Sequence, residues 1–272
     1  MASQIKFFKK NIIDLSNDSA AITVTDAVAS NNGQSFVDYI RNRNNFSAWL
    51  TTGSTDAANT TLEVDWGQGR DVDSILLIGH NFKAFTIQYW NGSIWTDFST
   101  PIAQTVNADS TTLFSFDQVE TTKIKIIITG TQVVNADKEL YQLIVTEKIA
   151  NGAFEGWPVI KNPIHDLNLK STKMLSGKTN IVESTGAFKV DMEVSNWRNA
   201  NDLALVENLY FRREPFLVWL GGGDESQFSY AALGYRKMDI YYMRPSNSYE
   251  PEFVKGLYQA GLKIAIKLVE SI

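Results

Sequence analysis

Two short runs of residues decide the fold of the first half of this chain: Leu62-Glu-Val-Asp-Trp66 and Ser74-Ile-Leu-Leu-Ile78. The first run alternates apolar and polar residues, which is typical of a strand with one face toward a core. The second run is almost entirely apolar, as expected for a central strand that is covered on both faces. Clusters of Gly, Asn, Asp, Ser and Thr separate such runs, and helical periodicity is nearly absent. The pattern predicts an all-β domain.

Further strand patterns follow at the spacing of a β-sandwich. Phe85-Thr-Ile-Gln-Tyr89 alternates, Asn91-Gly92 supplies residues that tolerate a positive φ, and Ile94-Trp95 resumes the apolar pattern. This arrangement predicts a β-hairpin. Two more strands are predicted from Lys123-Ile-Lys-Ile-Ile-Ile128 and Leu140-Tyr-Gln-Leu-Ile-Val145.

The second half of the chain has a different order of elements. Phe188-Lys-Val-Asp-Met-Glu-Val194 alternates without error, which predicts a strand with one solvated face. The spacing of Leu205, Val206 and Leu209 predicts one α-helix near residues 201–213. Alternating and aromatic runs follow it. We therefore expect a second β-sandwich domain with a single helix packed against it.

Gly, Asn and Pro residues punctuate the stretch between the two halves, at residues 151–163. Such punctuation is typical of a linker between domains. We therefore expect one domain at residues 1–150 and another at residues 164–272, in a chain that is mainly β.

The composition excludes several classes of protein. The 272 residues include no cysteine, which excludes disulfides, thiol nucleophiles and cysteine-based metal centres. The net charge is -5, and neither half has the surplus of positive charge that nucleic-acid binding needs. No uncharged apolar run is long enough to cross a membrane, and the first residues lack the layout of a secretion signal. We therefore expect neither membrane insertion nor signal-driven export.

No catalytic motif can be assembled from the sequence, which lacks a nucleophile elbow, a zinc-protease helix, a phosphate-binding loop and a dinucleotide fingerprint. His80 follows a buried strand, where a backbone-bonded turn residue is favoured over a sugar contact, and His165 is expected to be structural. Asp71 and Asp73 could hold calcium, although a solvated turn is favoured. We therefore expect a non-enzymatic protein with no metal and no cofactor.

Four motifs follow one another in a fixed order, at residues 61–67, 72–79, 87–95 and 123–128, with Trp49 ahead of them. This order resembles the discoidin-like, galactose-binding-like jelly-roll family over about residues 10–148. The resemblance implies a jelly-roll β-sandwich. Gln142 stands where that family commonly has a glutamate near a metal position, which argues against calcium binding here.

The segment Leu209-Tyr-Phe-Arg-Arg-Glu-Pro-Phe-Leu-Val-Trp219 resembles the tail-tube-like domains of bacteriophage distal tail and baseplate-hub proteins. That resemblance implies a structural protein of a phage tail or baseplate, assembled in the bacterial host cytoplasm and carried in the virion. Its partners would be copies of itself, in a ring or tube, and other tail proteins. The charged strand faces are either ring contacts or ordinary solvated surface; they carry Lys189, Asp191, Glu193, Lys263 and Lys267.

The alternative hypothesis is a carbohydrate-binding adhesin or receptor-binding protein outside a tail ring. Sugar rings stack on aromatic side chains, and sugar hydroxyls bond to amides and carboxylates. The candidate ligand-binding residues are Asn44, Asn45, Trp49, His80 and Asn81, although Trp49 is also a candidate for the core. Host-surface carbohydrate is a candidate partner under both hypotheses.

Overall fold

The computed structural model describes residues 5–17, 20–26, 36–43, 47–52, 59–154, 159–173, 179–197, 200–212, 214–220, 240–255 and 260–271. The chain divides into two compact units. The first unit comprises residues 9–148, and the second combines residues 1–8 with most of the chain from residue 149 onward.

Fourteen strands are described, and all of their pairings are antiparallel. They are β1 (Lys6–Phe8), β2 (Ala21–Asp26), β3 (Trp49–Leu50), β4 (Thr60–His80), β5 (Phe82–Trp90), β6 (Trp95–Gln104), β7 (Thr111–Thr131), β8 (Glu139–Thr146), β9 (Val159–Lys173), β10 (Thr179–Trp197), β11 (Phe216–Trp219), β12 (Ile240–Pro245), β13 (Glu252–Lys255) and β14 (Ala260–Glu270). The described residues also include a 3-10 helix, Val37–Arg41, and an α-helix, α1 (Ala200–Phe211). A mainly β chain is therefore confirmed.

Strands β4 and β7 bend the sheet of the first unit into the two layers of a β-sandwich. The first half of β4 pairs with β2 and the second half of β7, whereas its second half pairs with β8 and the first half of β7. The β4–β7 register slips between Asp65 and Arg70, where Gly67 has a φ of 76°. Both strands pass from one layer to the other at this corner.

The core of the first unit is built from the residues that the alternation predicts. Leu62, Val64 and Trp66 are buried in it, and the Trp66 indole N–H donates to the carbonyl oxygen of Thr121 at 3.0 Å. All four residues from Ile75 to Ile78 are fully buried, which confirms a strand covered on both faces.

The predicted hairpin joins β5 to β6. Gly92 has a φ of 96°, and the Oδ1 atom of Asn91 accepts the backbone N–H groups of Ser93 and Ile94 at 3.0 and 2.9 Å. The Asn side chain therefore caps the turn, while the glycine takes the conformation that other residues avoid.

The second unit is built on a seven-stranded sheet in the order β1-β11-β12-β14-β10-β9, with β13 added to β14. In β10, Phe188, Val190, Met192 and Val194 are all buried, as their alternation predicts. The apolar side of α1 is also buried, and the helix lies within one to two residues of its predicted limits.

Two features differ from the predicted domain limits. Residues 6–8 are expected in the first domain, but they form β1 in the sheet of the second unit, where the Phe7 ring lies 5.5 Å from that of Phe154. The predicted linker runs to residue 163, but β9 already begins at Val159. Pro163 is tolerated because β9 is an edge strand whose register slips at that point.

The first unit is consequently an insertion in the chain of the second. Its two ends lie side by side, because the Lys9 N–H donates to the Glu147 carbonyl at 2.8 Å. Among the residues that the structure describes, no helix has the length and apolar character of a membrane span.

Candidate functional site

The predicted ligand-binding residues that the structure describes have structural contacts within the first unit. Trp49 is fully buried and belongs to the core, so it cannot act as a platform for a sugar ring. Asn44 and Asn45 lie outside the described residues.

His80 is only 2% exposed, and its ring lies 5.0 Å from that of Phe82. The Phe82 N–H donates to Nδ1 at 3.1 Å, so the proton of the neutral ring is on Nε2, which lies 3.1 Å from the Thr112 hydroxyl. Burial lowers the pKa of His80 to about 4, against a smaller opposing effect of Asp109. The imidazole is therefore a neutral structural group, as expected for a turn residue that bonds to the backbone.

Asn81 joins two loops at the same end of the sandwich. Its Oδ1 atom accepts the Glu139 N–H at 3.0 Å, and its Nδ2 atom donates to the Asp137 carbonyl at 2.7 Å. Both ends of the amide are thus engaged with the backbone, and the side chain holds the loop after β7 against the start of β5.

Asp71 and Asp73 have different surroundings. The Oδ1 atom of Asp73 accepts the Ser74 hydroxyl at 2.7 Å and the Lys148 N–H at 2.9 Å, whereas Asp71 is exposed. Within the described parts of the chain, no group of three or more acidic or histidine side chains could hold a metal ion.

A surface cleft of about 380 Å³ lies at the corner end of the sandwich, where β4 and β7 change layers. We call it the tryptophan cleft; it is lined by Gly69, Trp90, Asn91, Gly92, Glu120, Thr121 and Thr122. The nine residues of β5 separate it from His80 and Asn81 by roughly 25–30 Å.

The aromatic wall of the cleft belongs to a pair of half-buried tryptophans. Trp90 and Trp95 lie directly opposite each other in β5 and β6, with ring centroids 5.4 Å apart at an angle of 68°. Phe85 and Ile87 point into the core, so the alternation of β5 places Trp90 on the outer face of the sheet. The Lys125 Nζ atom lies 4.5 Å from the centroid of the Trp95 ring. The pair stabilises the hairpin and also presents aromatic surface to solvent.

The floor of the cleft is fixed by hydrogen bonds between strands. The Thr121 hydroxyl donates to the Trp90 carbonyl at 2.8 Å, and the Thr121 carbonyl accepts the indole of the core residue Trp66. Asn91 holds the turn and also donates from Nδ2 to the Thr96 hydroxyl at 2.9 Å. The backbone around the cleft is therefore held in place without a ligand.

Another part of the cleft lining is formed by Glu120, whose carboxylate lies beside Gly69. A Cβ atom at position 69 would lie 2.5 Å from the Oε1 atom of Glu120, so the carboxylate occupies space that only glycine leaves open. Within the described residues, the side chain of Glu120 has neither a hydrogen bond nor an ion pair. Trp90, Glu120 and Thr122 thus line one open cleft.

No protein-family model and no curated protein matches the sequence. Solved structures that resemble part of the chain include chitosan-binding module 1 from a chitosanase/glucanase of Paenibacillus sp. IK-5, at 15% identity over 50% of this chain and 98% of the module, with a TM-score of 0.39. The family 32 carbohydrate-binding module of Clostridium perfringens NanJ, solved with galactose, is 20% identical over 53% of this chain and 99% of the module, with a TM-score of 0.38.

A family 29 fucosidase of Ruminococcus gnavus, solved with fucose, is 15% identical over 52% of this chain and 27% of the fucosidase, with a TM-score of 0.41. Each of these similarities extends over about half of this chain.

Sequence reasoning assigns the hairpin tryptophans to the fold alone and does not find the cleft. The signal that could have found it is the outward position of Trp90 in an alternating strand, next to a second tryptophan. Gly69 and Glu120 carry no such signal, because they meet only where the register of β4 and β7 slips.

Proposed function

We propose that this chain is a non-enzymatic binding protein and that its β-sandwich unit binds a carbohydrate in the tryptophan cleft. The observation that carries the proposal is the outward position of Trp90 in an open cleft that Glu120 and Thr122 also line. A sugar ring has an apolar face of C–H groups, which packs on an aromatic ring, and a rim of hydroxyls that bond to polar groups. The cleft offers both kinds of contact.

The geometry of the cleft favours binding because its residues are already held in place before a ligand binds. Trp90 is held by Trp95, and the carbonyl of Trp90 is held by Thr121. Pre-formed sites lose less conformational entropy on binding than flexible ones. The volume of about 380 Å³ lies at the lower end of the range for small-molecule sites, which suits one or two sugar rings.

The test is a glycan array followed by calorimetric titration of the best ligand. Trp90→Ala should weaken binding at least about tenfold, since an aromatic contact of this kind contributes on the order of 1 kcal/mol beyond its buried area. Trp90→Phe keeps a smaller ring and should retain part of the affinity.

Phe36→Ala is the matched control, because Phe36 is also an exposed aromatic residue of the first unit, at 68% exposure. It should leave the affinity unchanged. An array without a single bound glycan, or equal affinities of the wild type and the Trp90→Ala variant, would contradict the proposal.

A place in a phage tail or baseplate remains a prediction from the sequence, with copies of the chain and other tail proteins as partners. Two of the strand charges that are its candidate ring contacts pair with each other within the second unit, because the Lys263 Nζ atom lies 2.7 Å from Glu193 Oε1. Asp191 stands opposite Lys267 in the pairing of β10 with β14. Electron microscopy of an intact particle that contains the chain would test this role by its copy number and position.

A further inference from the structure

Building on the proposed function, we infer that the tryptophan cleft prefers a carbohydrate with a positively charged amino group, such as a glucosamine unit with a free amine. The cleft has an aromatic wall and a single ionisable lining residue, Glu120. A neutral sugar can use both walls, but only an ammonium group can also form a charge-assisted hydrogen bond with the carboxylate.

The carboxylate of Glu120 is available for such a bond. Within the described residues it has no hydrogen bond and no ion pair, and the missing side chain of Gly69 leaves its Oε1 atom room against the cleft floor. By contrast, Asp65 and Glu63, farther along the same pair of strands, lie 2.9 and 3.7 Å from the Lys123 Nζ atom. Lys123 therefore balances the carboxylates of Glu63 and Asp65, whereas no described basic residue pairs with the carboxylate of Glu120 at the cleft.

The charges around Glu120 reinforce this preference. Asp71 stands directly opposite Glu120 in the β4–β7 pairing, and like charges in that position repel each other. A bound cation would relieve the repulsion. The described basic residues of this part of the strand pair have other positions or partners: Arg70 stands opposite Thr121 and makes no ion pair within the described residues, Lys123 pairs with Asp65, and Lys125 lies over the Trp95 ring.

The other wall also accepts positive charge. The face of an indole ring is electron-rich and attracts an ammonium group that lies within about 6 Å of its centre. Trp90 lines the same cleft as Glu120. An amino sugar bound in the cleft could thus meet two groups that attract its positive charge.

The experiment compares three oligosaccharides of equal length by calorimetric titration of the full chain. They are a β-1,4-linked glucosamine oligomer, its fully N-acetylated form and the corresponding glucose oligomer, at a mildly acidic pH at which the free amine is protonated. We expect the glucosamine oligomer to bind about tenfold more tightly than the other two, the factor that 1.4 kcal/mol produces. The difference should shrink as salt is added.

Glu120→Gln keeps the size of the side chain and removes its charge, so it should abolish the preference: the glucosamine oligomer should bind no more tightly to this variant than the other two oligomers do. Asp117→Asn is the matched control: it removes the same charge from an exposed position of the same strand, outside the cleft. It should keep the preference.

Equal affinity of the wild type for all three oligomers would overturn this inference and leave the proposed function standing. A preference that survives in Glu120→Gln would overturn it as well. If none of the oligomers and no glycan on an array binds, both the inference and the proposed function are wrong.

Discussion

Removing the titratable group of His80 should change how the stability of the first unit depends on pH. The folded chain holds the His80 ring neutral, because burial lowers its pKa from 6.5 to about 4. Between these two values the unfolded chain binds a proton that the folded chain does not, so stability falls as the pH falls. At 1.36 kcal/mol per pH unit, the loss between neutral pH and pH 4 is about 3 kcal/mol.

The variant for this test is His80→Gln, whose amide can accept from the Phe82 N–H and donate to the Thr112 hydroxyl as the imidazole does. The stability of the wild type relative to that of the variant should therefore fall by about 3 kcal/mol as the pH falls from 7 to 4. Groups that titrate in both proteins cancel in this comparison.

Asp14 changes the stability of the chain only below the pH range of the His80 effect. Burial acts to raise the pKa of its carboxyl, but hydrogen bonds from Arg43 and Ser16 outweigh burial and lower the pKa to about 2. The ordinary value is 3.8, so the stability that Asp14 contributes is lost only as the pH falls from about 4 toward 2.

The assay is urea unfolding at a series of pH values, followed by hydrogen exchange of peptides from β5 and β7, because the two units need not unfold together. A stability difference between wild type and variant that stays constant from pH 7 to pH 4 would refute the reasoning. It would mean that His80 can take up a proton in the folded state and is accessible to a ligand after all.

Two further predictions test the core and the inserted unit. Trp49→Ala should lower the free energy of unfolding by about 3–5 kcal/mol in the same urea assay, because it empties a fully buried site; a cost below about 0.5 kcal/mol is typical of a surface platform and would contradict the core position. Residues 9–148, whose ends lie side by side, should fold when expressed alone and give a dispersed amide NMR spectrum. A spectrum without dispersion would refute an independent first unit.

The strands could be predicted where one periodicity continues for five or more residues. Leu62 to Trp66 and Phe188 to Val194 alternate cleanly, and every apolar residue in them is buried. Such runs are decided by local sequence, since the face toward the core must be apolar whatever the strand pairs with.

Short or interrupted elements escaped prediction for a physical reason. Strand β1 has three residues, which show no period, and it exists only because β11, more than 200 residues later, offers a free edge. Pro163 marks an interruption in the sequence, but an edge strand accommodates proline at a bulge. In both cases the partner strand decides whether the segment forms a strand.

The candidate site depended even more on distant residues. Gly69 and Glu120 are about fifty positions apart and come together at a register slip that no motif announces. His80 and Asn81 lie next to each other after a strand, as expected, but their side chains bond inward to the backbone and to Thr112. Which polar residues face solvent is decided by tertiary packing.

The most direct test of carbohydrate binding in the tryptophan cleft is an NMR titration of the indole N–H signals of the seven tryptophans with the best glycan ligand. The signals of Trp90 and Trp95 should shift as the ligand is added, while those of the buried residues Trp49 and Trp66 stay in place. Ligand-induced shifts confined to the loops around Asn81, with Trp90 unmoved, would contradict the account.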